Sequence, residues 1–152
     1  MAIDAKKIKK LREETGAGVL EIKNILEETD GDFDKAKKEL MKKVASKAAK
    51  KADRTAADGL VYSYVHNGGK IGSMVLVGCE TDFVARTDDF KKLCQEIAMQ
   101  VCTEEYETKE KLLEAEYIRD PSKKIQDLIN ETSAKTGEKI ELQKFVKFSV
   151  GE

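Results

Sequence analysis

Apolar positions along this chain recur first at helical spacing, then in alternation, then at helical spacing again. Residues 4–14 carry Ile8 and Leu11 on one face, with Lys and Glu elsewhere. Thr15-Gly16-Ala17-Gly18 breaks that helix and permits a tight turn. Val19, Ile22, Ile25 and Leu26 form the next stripe, and Thr29-Asp30-Gly31-Asp32 is a turn rich in capping residues. Phe33, Ala36, Leu40 and Val44 make a third stripe, so residues 1–45 predict a small three-helix bundle. Apolar periodicity fades after it. Residues 46–58, rich in Ala, Lys and Ser, read as a helix end running into a mobile basic linker.

Alternation takes over at residue 59. Leu60 to Val65 reads as one arm of a β-hairpin, Asn67-Gly68-Gly69 as its turn, and Lys70 to Gly78 as the second arm. Met74 and Leu76 are apolar on the face opposite Ile71, Val75 and Val77, which predicts a strand buried on both sides. Phe90, Leu93, Cys94, Ile97, Ala98 and Val101 then give the strongest helical stripe, to be packed on the sheet. A short helix is expected within 108–117. Asp120-Pro121 reads as an N-cap followed by proline at the first helical position, with Ile125, Leu128, Ile129 and Thr132 as the stripe and Gly137 as the stop. Ile140, Leu142, Val146, Phe148 and Val150 alternate, with Lys144 as an interruption, and predict a third strand paired non-locally. The fold class is therefore α+β: an N-terminal helical module (1–45), a basic linker (46–58) and a core of a three-stranded antiparallel sheet with helices (59–152).

Composition narrows the function. With 40% hydrophobic and 38% charged residues and a net charge of −1, the chain reads as a globular protein with a highly charged surface. That balance does not favour a general attraction to nucleic acid or anionic membranes. Charge is uneven along the chain. Residues 1–51 carry 14 basic and 10 acidic side chains, and the remainder 14 and 19. The lysines of the basic stretch lack interleaved aromatics, so no stacking platform for bases is evident. Three cysteines without a CxxC pair fit free thiols of a reducing cytosol. Cys94 and Cys102 lie about 12 Å apart on a helix, too far to bridge. No stretch approaches a membrane span or a signal peptide, so a cytoplasmic location is the default expectation. One histidine, His66, and no phosphate-loop or HExxH pattern leave no candidate catalytic residues, metal ligands or cofactor site.

The residues that carry the most information are Gly78 to Phe90, where strand gives way to helix. Thr81 and Thr87 are both N-cap residues followed by Asp, favoured at the positive end of a helix. Phe83 lies upstream of the apolar stripe, at a corner. It is either a lid on the local core or a knob offered to a partner. Thr81-Asp82-Phe83-Val84-Ala85 resembles the signature of elongation factor Ts, the exchange-factor family of the GTPase elongation factor Tu. Leu11 to Lys23 resembles the family's N-terminal motif, and Lys47 to Ala52 and Ala134 to Ile140 are weaker matches in the same order.

The resemblance implies a non-enzymatic partner-binding protein without cofactors. It implies that residues 1–45 form a ubiquitin-associated-like module. That module's surface, through Leu11, Arg12, Thr15, Gly16, Gly18, Val19, Leu20 and Lys23, would dock on the GTPase domain of elongation factor Tu. Relatives often carry methionines where this chain has Val19-Leu20, but apolar character is kept. The resemblance further implies that Phe83 wedges between helices of that domain, that Asp82 disturbs its magnesium site, and that Thr81 and Val84 complete the exchange motif. Longer relatives have a second core lobe and a helical hairpin, whereas this chain has one set of strands and a short connector, 103–120. On that analogy a homodimer through the core sheet is expected, with Tyr62, Tyr64 or Phe145 on the exposed face. The alternative reading is a ribosome- or RNA-associated adaptor, binding through residues 42–54, and an acid–base enzyme ranks third.

Overall fold

The computed structural model describes residues 2–152. Three helices come first: α1 (Ala5–Thr15), α2 (Val19–Glu28) and α3 (Phe33–Ala49). Asp4 and Asp32 cap α1 and α3 by accepting backbone N–H groups of Lys6 and Lys35. Their apolar stripes meet in one cluster, with Leu11, Ile22, Ile25, Leu26, Leu40 and Val44 buried. The expected start of the linker at residue 46 falls inside α3, because Ala45 to Ala49 are good helix formers. The segment that follows is tied down. Lys51 Nζ donates to Ser133, Arg54 donates to the Gly137 carbonyl, and Lys139 Nζ donates to the carbonyls of Ala52 and Arg54.

The main sheet has the order β1-β2-β5, all antiparallel, from β1 (Asp58–His66), β2 (Ile71–Cys79) and β5 (Glu141–Ser149). The hairpin turn falls at Asn67–Gly69 as expected, with positive φ at all three residues. Between β2 and β5 in sequence lie α4 (Asp82–Ala85), α5 (Asp88–Val101), α6 (Lys109–Glu114), a two-stranded ribbon of β3 (Glu116–Tyr117) and β4 (Asp120–Lys124), and α7 (Ile125–Thr136). Helix α5 lies on one face of the main sheet, flanked by α4 and α6, and α7 packs against α5 and α6. Val75, Val77, Phe90, Ile97, Leu112, Ile125 and Leu142 lie at the centre of that core.

Four local expectations are corrected. Asp120-Pro121 does not open a helix. Asp120 Oδ1 instead accepts from the N–H and hydroxyl of Ser122 (3.1 and 2.6 Å) within β4, just after the Ile118-Arg119 turn, and Pro121 is tolerated in the irregular part of a two-stranded ribbon. Helix α7 starts five residues after Asp120, with the Lys124 N–H held by Asp127. Strand β2 is covered on one side only, and Met74 is exposed. The alternation of β5 also reverses. A bulge opposite Leu76 and Val77 makes Gln143 an extra residue, so Leu142 and Phe145 both turn inward. Val146, Phe148 and Val150 then face solvent. Tyr62, Tyr64 and Phe145 pack against the core rather than lining the exposed face.

The N-terminal helices dock on the core through α7. Lys123 Nζ and Lys135 Nζ donate to the carbonyls of Glu14 and Glu13 (2.6 and 3.2 Å), the negative end of α1. Lys37 bridges Glu14 and Asp120 at 3.2 and 3.8 Å. Lys123 also pairs with Glu131 at 2.5 Å, both largely buried. Burial holds the Glu131 carboxyl above the usual carboxylate range despite that lysine. Gly16, at φ 74°, lies so close that a Cβ would stand 2.6 Å from the Glu131 carbonyl oxygen. Gly16→Ala is therefore expected to lower stability by about 2 kcal/mol or more, from left-handed strain and the forced separation of α1 from α7. Urea unfolding of the purified protein checks it, against Gly68→Ala in the open hairpin turn as the reference for strain without a clash.

Candidate functional site

Strand β2 ends at Cys79, and the chain turns through Glu80 and Thr81 into the single turn of α4. Thr81 is its N-cap, accepting the Val84 N–H at 3.4 Å. Val84 and Ala85 are buried in the main core. One helical turn cannot bury all its sides, so Asp82 and Phe83 point outward. Phe83 is 82% exposed, the most exposed large apolar side chain among the described residues. Asp82 pairs with Arg86 one turn on, at 3.0 Å, and both are well exposed. Such a pair contributes little to stability. Thr87 locks the far end, donating its hydroxyl to the Val84 carbonyl (2.8 Å) and capping α5 through the Phe90 N–H (3.2 Å).

Thr81 is held from the other side as well. The Glu138 carboxylate, in the turn after α7, accepts the Glu80 N–H, the Thr81 N–H and the Thr81 hydroxyl at 3.0, 3.0 and 2.7 Å. Sequence reading gave Glu138 no role. Its only signal was membership of the segment Ala134 to Ile140, far from Thr81 in the chain.

The second set of expected residues divides by burial. Leu11 and Thr15 are wholly inside, and the Thr15 hydroxyl donates to the Leu11 carbonyl (2.7 Å) and accepts the Ala17 N–H (3.2 Å). Gly16 faces α7. Arg12, Gly18, Val19, Leu20 and Lys23 are exposed, Leu20 by 72%. Gly18 caps α2 without a side-chain hydrogen bond, leaving the first backbone donors of α2 open to solvent. The two sets lie on separate elements and are joined through α7, whose one side meets α1 and whose following turn, through Glu138, holds Thr81.

Cys79, just before the turn, is pushed up to about 11 by burial and by the Glu138 carboxylate, and Cys94 to about 12 by burial and by Cys79, so both thiols are protonated at neutral pH. His66 Nδ1 is 2.7 Å from the Tyr64 hydroxyl on the hairpin. Among the described residues no cluster of His, Cys, Asp or Glu has metal-binding geometry, and no helix is long and apolar enough to cross a membrane.

Comparison with known proteins matches these features to one family. The family model for elongation factor Ts matches residues 80–152, beginning at the Glu80–Thr81 turn. Elongation factor Ts of Petrotoga mobilis is 41% identical, with all of both chains covered. That of Thermotoga neapolitana is 42% identical over all of this chain and 99% of its own. That of Thermoanaerobacter sp. is 40% identical over 99% of this chain and 96% of its own. These alignments run over 195 to 197 residues against the 152 here, so the relatives carry residues without a counterpart in this chain. The similarity includes the N-terminal helices as well as the core, and the chain belongs to the elongation factor Ts family of translation elongation factors.

Proposed function

We propose that this protein binds the GTPase elongation factor Tu and promotes release of its GDP by inserting Phe83 into the GTPase domain. The observation that carries the reading is a large aromatic held almost fully in water on a helix fixed at both ends. An exposed phenylalanine with no local packing is a burial gain reserved for a partner: about 2–3 kcal/mol, or roughly 30- to 150-fold in an equilibrium. Exchange requires the factor to bind the nucleotide-free partner better than the loaded one, and by linkage nucleotide and factor then weaken each other by the same factor. Phe83 wedges apart helices that pack correctly only around nucleotide. Asp82, released from its weak pair with Arg86, competes at the magnesium region. Val84 anchors α4 and Thr81 sets its direction. The protein acts by binding alone, without a cofactor and without direct contact to nucleic acid, and this partner implies work in the cytoplasm.

The N-terminal helices form a ubiquitin-associated-like docking module in this scheme. Arg12, Val19, Leu20 and Lys23 make the contact, with the open backbone donors after Gly18. Leu11, Thr15 and Gly16 shape that surface from beneath. Docking there provides affinity, and Phe83 converts it into exchange. Phe83→Ala is accordingly expected to cut the maximal rate of stimulated release of fluorescent GDP by about 50-fold, with thermal stability unchanged, because an exposed ring contributes little to the fold. A folded variant that releases GDP as fast as the wild type rules the wedge out.

We further read the bare face of the main sheet as a homodimer surface. Val61, Val65, Met74, Val146 and Phe148 are exposed there in adjacent rows, with Met74 opposite Val146 and Phe148 opposite Gly72. A second copy presents an identical apolar face, and burying both supplies the missing layer over a one-sided sheet. Sedimentation equilibrium is expected to give twice the 17.0 kDa chain mass for the wild type and the single mass for Phe148→Glu. A wild type that stays at the single mass at tens of micromolar removes the dimer.

A further inference from the structure

We infer that Glu138 is a positioning residue for exchange, setting the direction of Phe83 through Thr81; the inference rests on Phe83 being the wedge. The reasoning starts from what α4 lacks. A single helical turn is too short to hold itself, since nucleation fixes several residues for one hydrogen bond. Phe83 contributes no packing of its own at 82% exposure. The Asp82–Arg86 pair is exposed and weak. The cap bond from the Val84 N–H to the Thr81 hydroxyl is long, at 3.4 Å. Val84 and Ala85 seat the helix on the core, and the turn before it has, besides Glu138, the weak bond from the Cys79 thiol to the Thr81 carbonyl at 3.1 Å.

Glu138 supplies the stronger hold. Where β2 ends, the N–H groups of Glu80 and Thr81 have lost their strand partners, and one carboxylate oxygen accepts both at 3.0 Å. The other oxygen accepts the Thr81 hydroxyl at 2.7 Å, which leaves that hydroxyl's lone pairs aimed at the Val84 N–H. Hydrogen bonds to a charged acceptor are the strong ones. The arrangement is also reciprocal. Glu80 Oε1 accepts the Lys139 N–H (3.3 Å) and lies 3.5 Å from Arg54 Nη1. Each turn therefore offers a carboxylate to the backbone of the other.

Glu138 is itself fixed. Gly137 takes the left-handed conformation that stops α7, at φ 76°. The Ser133 hydroxyl donates to the Glu138 carbonyl at 2.7 Å, and Lys51 donates to that same hydroxyl at 3.1 Å. The side chain that aims Phe83 thus stands on the end of α7, the helix on which the N-terminal module is docked through Gly16 and Lys135. Glu138 makes the spacing between the docking module and the wedge a property of one rigid helix.

The test is GDP release from elongation factor Tu, titrated with wild type, Glu138→Ala, Glu138→Gln, Phe83→Ala and the double variant Phe83→Ala/Glu138→Ala. Glu138→Ala is expected to lower the maximal rate about tenfold, the size of one lost charge-assisted hydrogen bond, while the half-saturating concentration stays within about threefold. Glu138→Gln keeps an acceptor for both N–H groups and should retain the rate within about threefold. In the Phe83→Ala background, Glu138→Ala should have no further effect, because its only route to exchange is gone. A folded Glu138→Ala with the wild-type rate, or an equal loss with and without Phe83, overturns the inference. Failure of the wedge itself is read separately, as a wild-type rate for Phe83→Ala, and takes the inference with it. Far-UV circular dichroism monitors folding. If Glu138→Ala does not fold, Glu138→Asp, which draws the carboxylate back by one methylene and leaves the Thr81 cap in place, takes its part in the same cycle with Phe83→Ala.

Discussion

The packing of α7 on two partners at once is the constraint from which the rest of the structure follows. Ile125 and Ile129 of this helix are buried in the core beneath the main sheet, while Ala134 packs on the cluster of the N-terminal helices. Between them the Glu131 carbonyl receives the close approach of Gly16. Charge reinforces the joint in a specific way. Lysines from β4 and α7 satisfy the last carbonyls of α1, and Lys123 is held in turn by Glu131. A buried pair of this kind adds little net stability, but it penalises any other arrangement, because separating the partners strands a charge. The two units are thereby held in one relation, and a basic stretch with few apolar residues between them is pinned by Lys51, Arg54 and Lys139.

A second consequence concerns the main sheet. Three strands give one face to α4, α5 and α6, and among the described residues no helix lies on the other. The bulge at Gln143 deepens that asymmetry by turning Val146 and Phe148 outward while Lys147 turns inward to meet Glu105 and the Glu104 carbonyl. A regular strand would have put those apolar residues beneath the helices and left the bare face more polar. Apolar area left in water over several adjacent rows is unfavourable for an isolated chain. Its presence is consistent with a surface that is covered in use, as Phe83 is at the proposed wedge.

Exposure at Phe83 is made tolerable by the economy of its support. The ring costs the fold little, since one side chain in water leaves the core unchanged. The strong bonds are instead placed two and three residues upstream, where Glu138 meets Thr81 and Glu80. Rigid presentation matters because an aromatic on a floppy turn would spend much of its burial energy on ordering. The local caps at Thr81 and Thr87 and the distant carboxylate at Glu138 divide this task between sequence neighbours and the fold.

The sequence by itself determined whatever depends on neighbouring residues. The stripes of α1 to α3 and α5, the hairpin at Asn67–Gly69, the caps at Thr81 and Thr87 and the stop at Gly137 all arise from backbone preferences and side-chain bonds within a few positions. The motif around Phe83 was likewise legible, as was the family. Asp120-Pro121 misled because an Asp side chain accepts a local N–H at the start of an irregular strand as readily as at a helix start, and only the pairing of Tyr117 with Asp120 separates them. Tertiary structure alone decided which face of the sheet is bare, that Leu11 and Thr15 lie inside while Val19 and Leu20 lie outside, and that Glu138 reaches a threonine 57 positions away. These outcomes depend on strand register and on the meeting of distant segments. Their free energy lies in contacts between elements, and no pattern within a single element contains it.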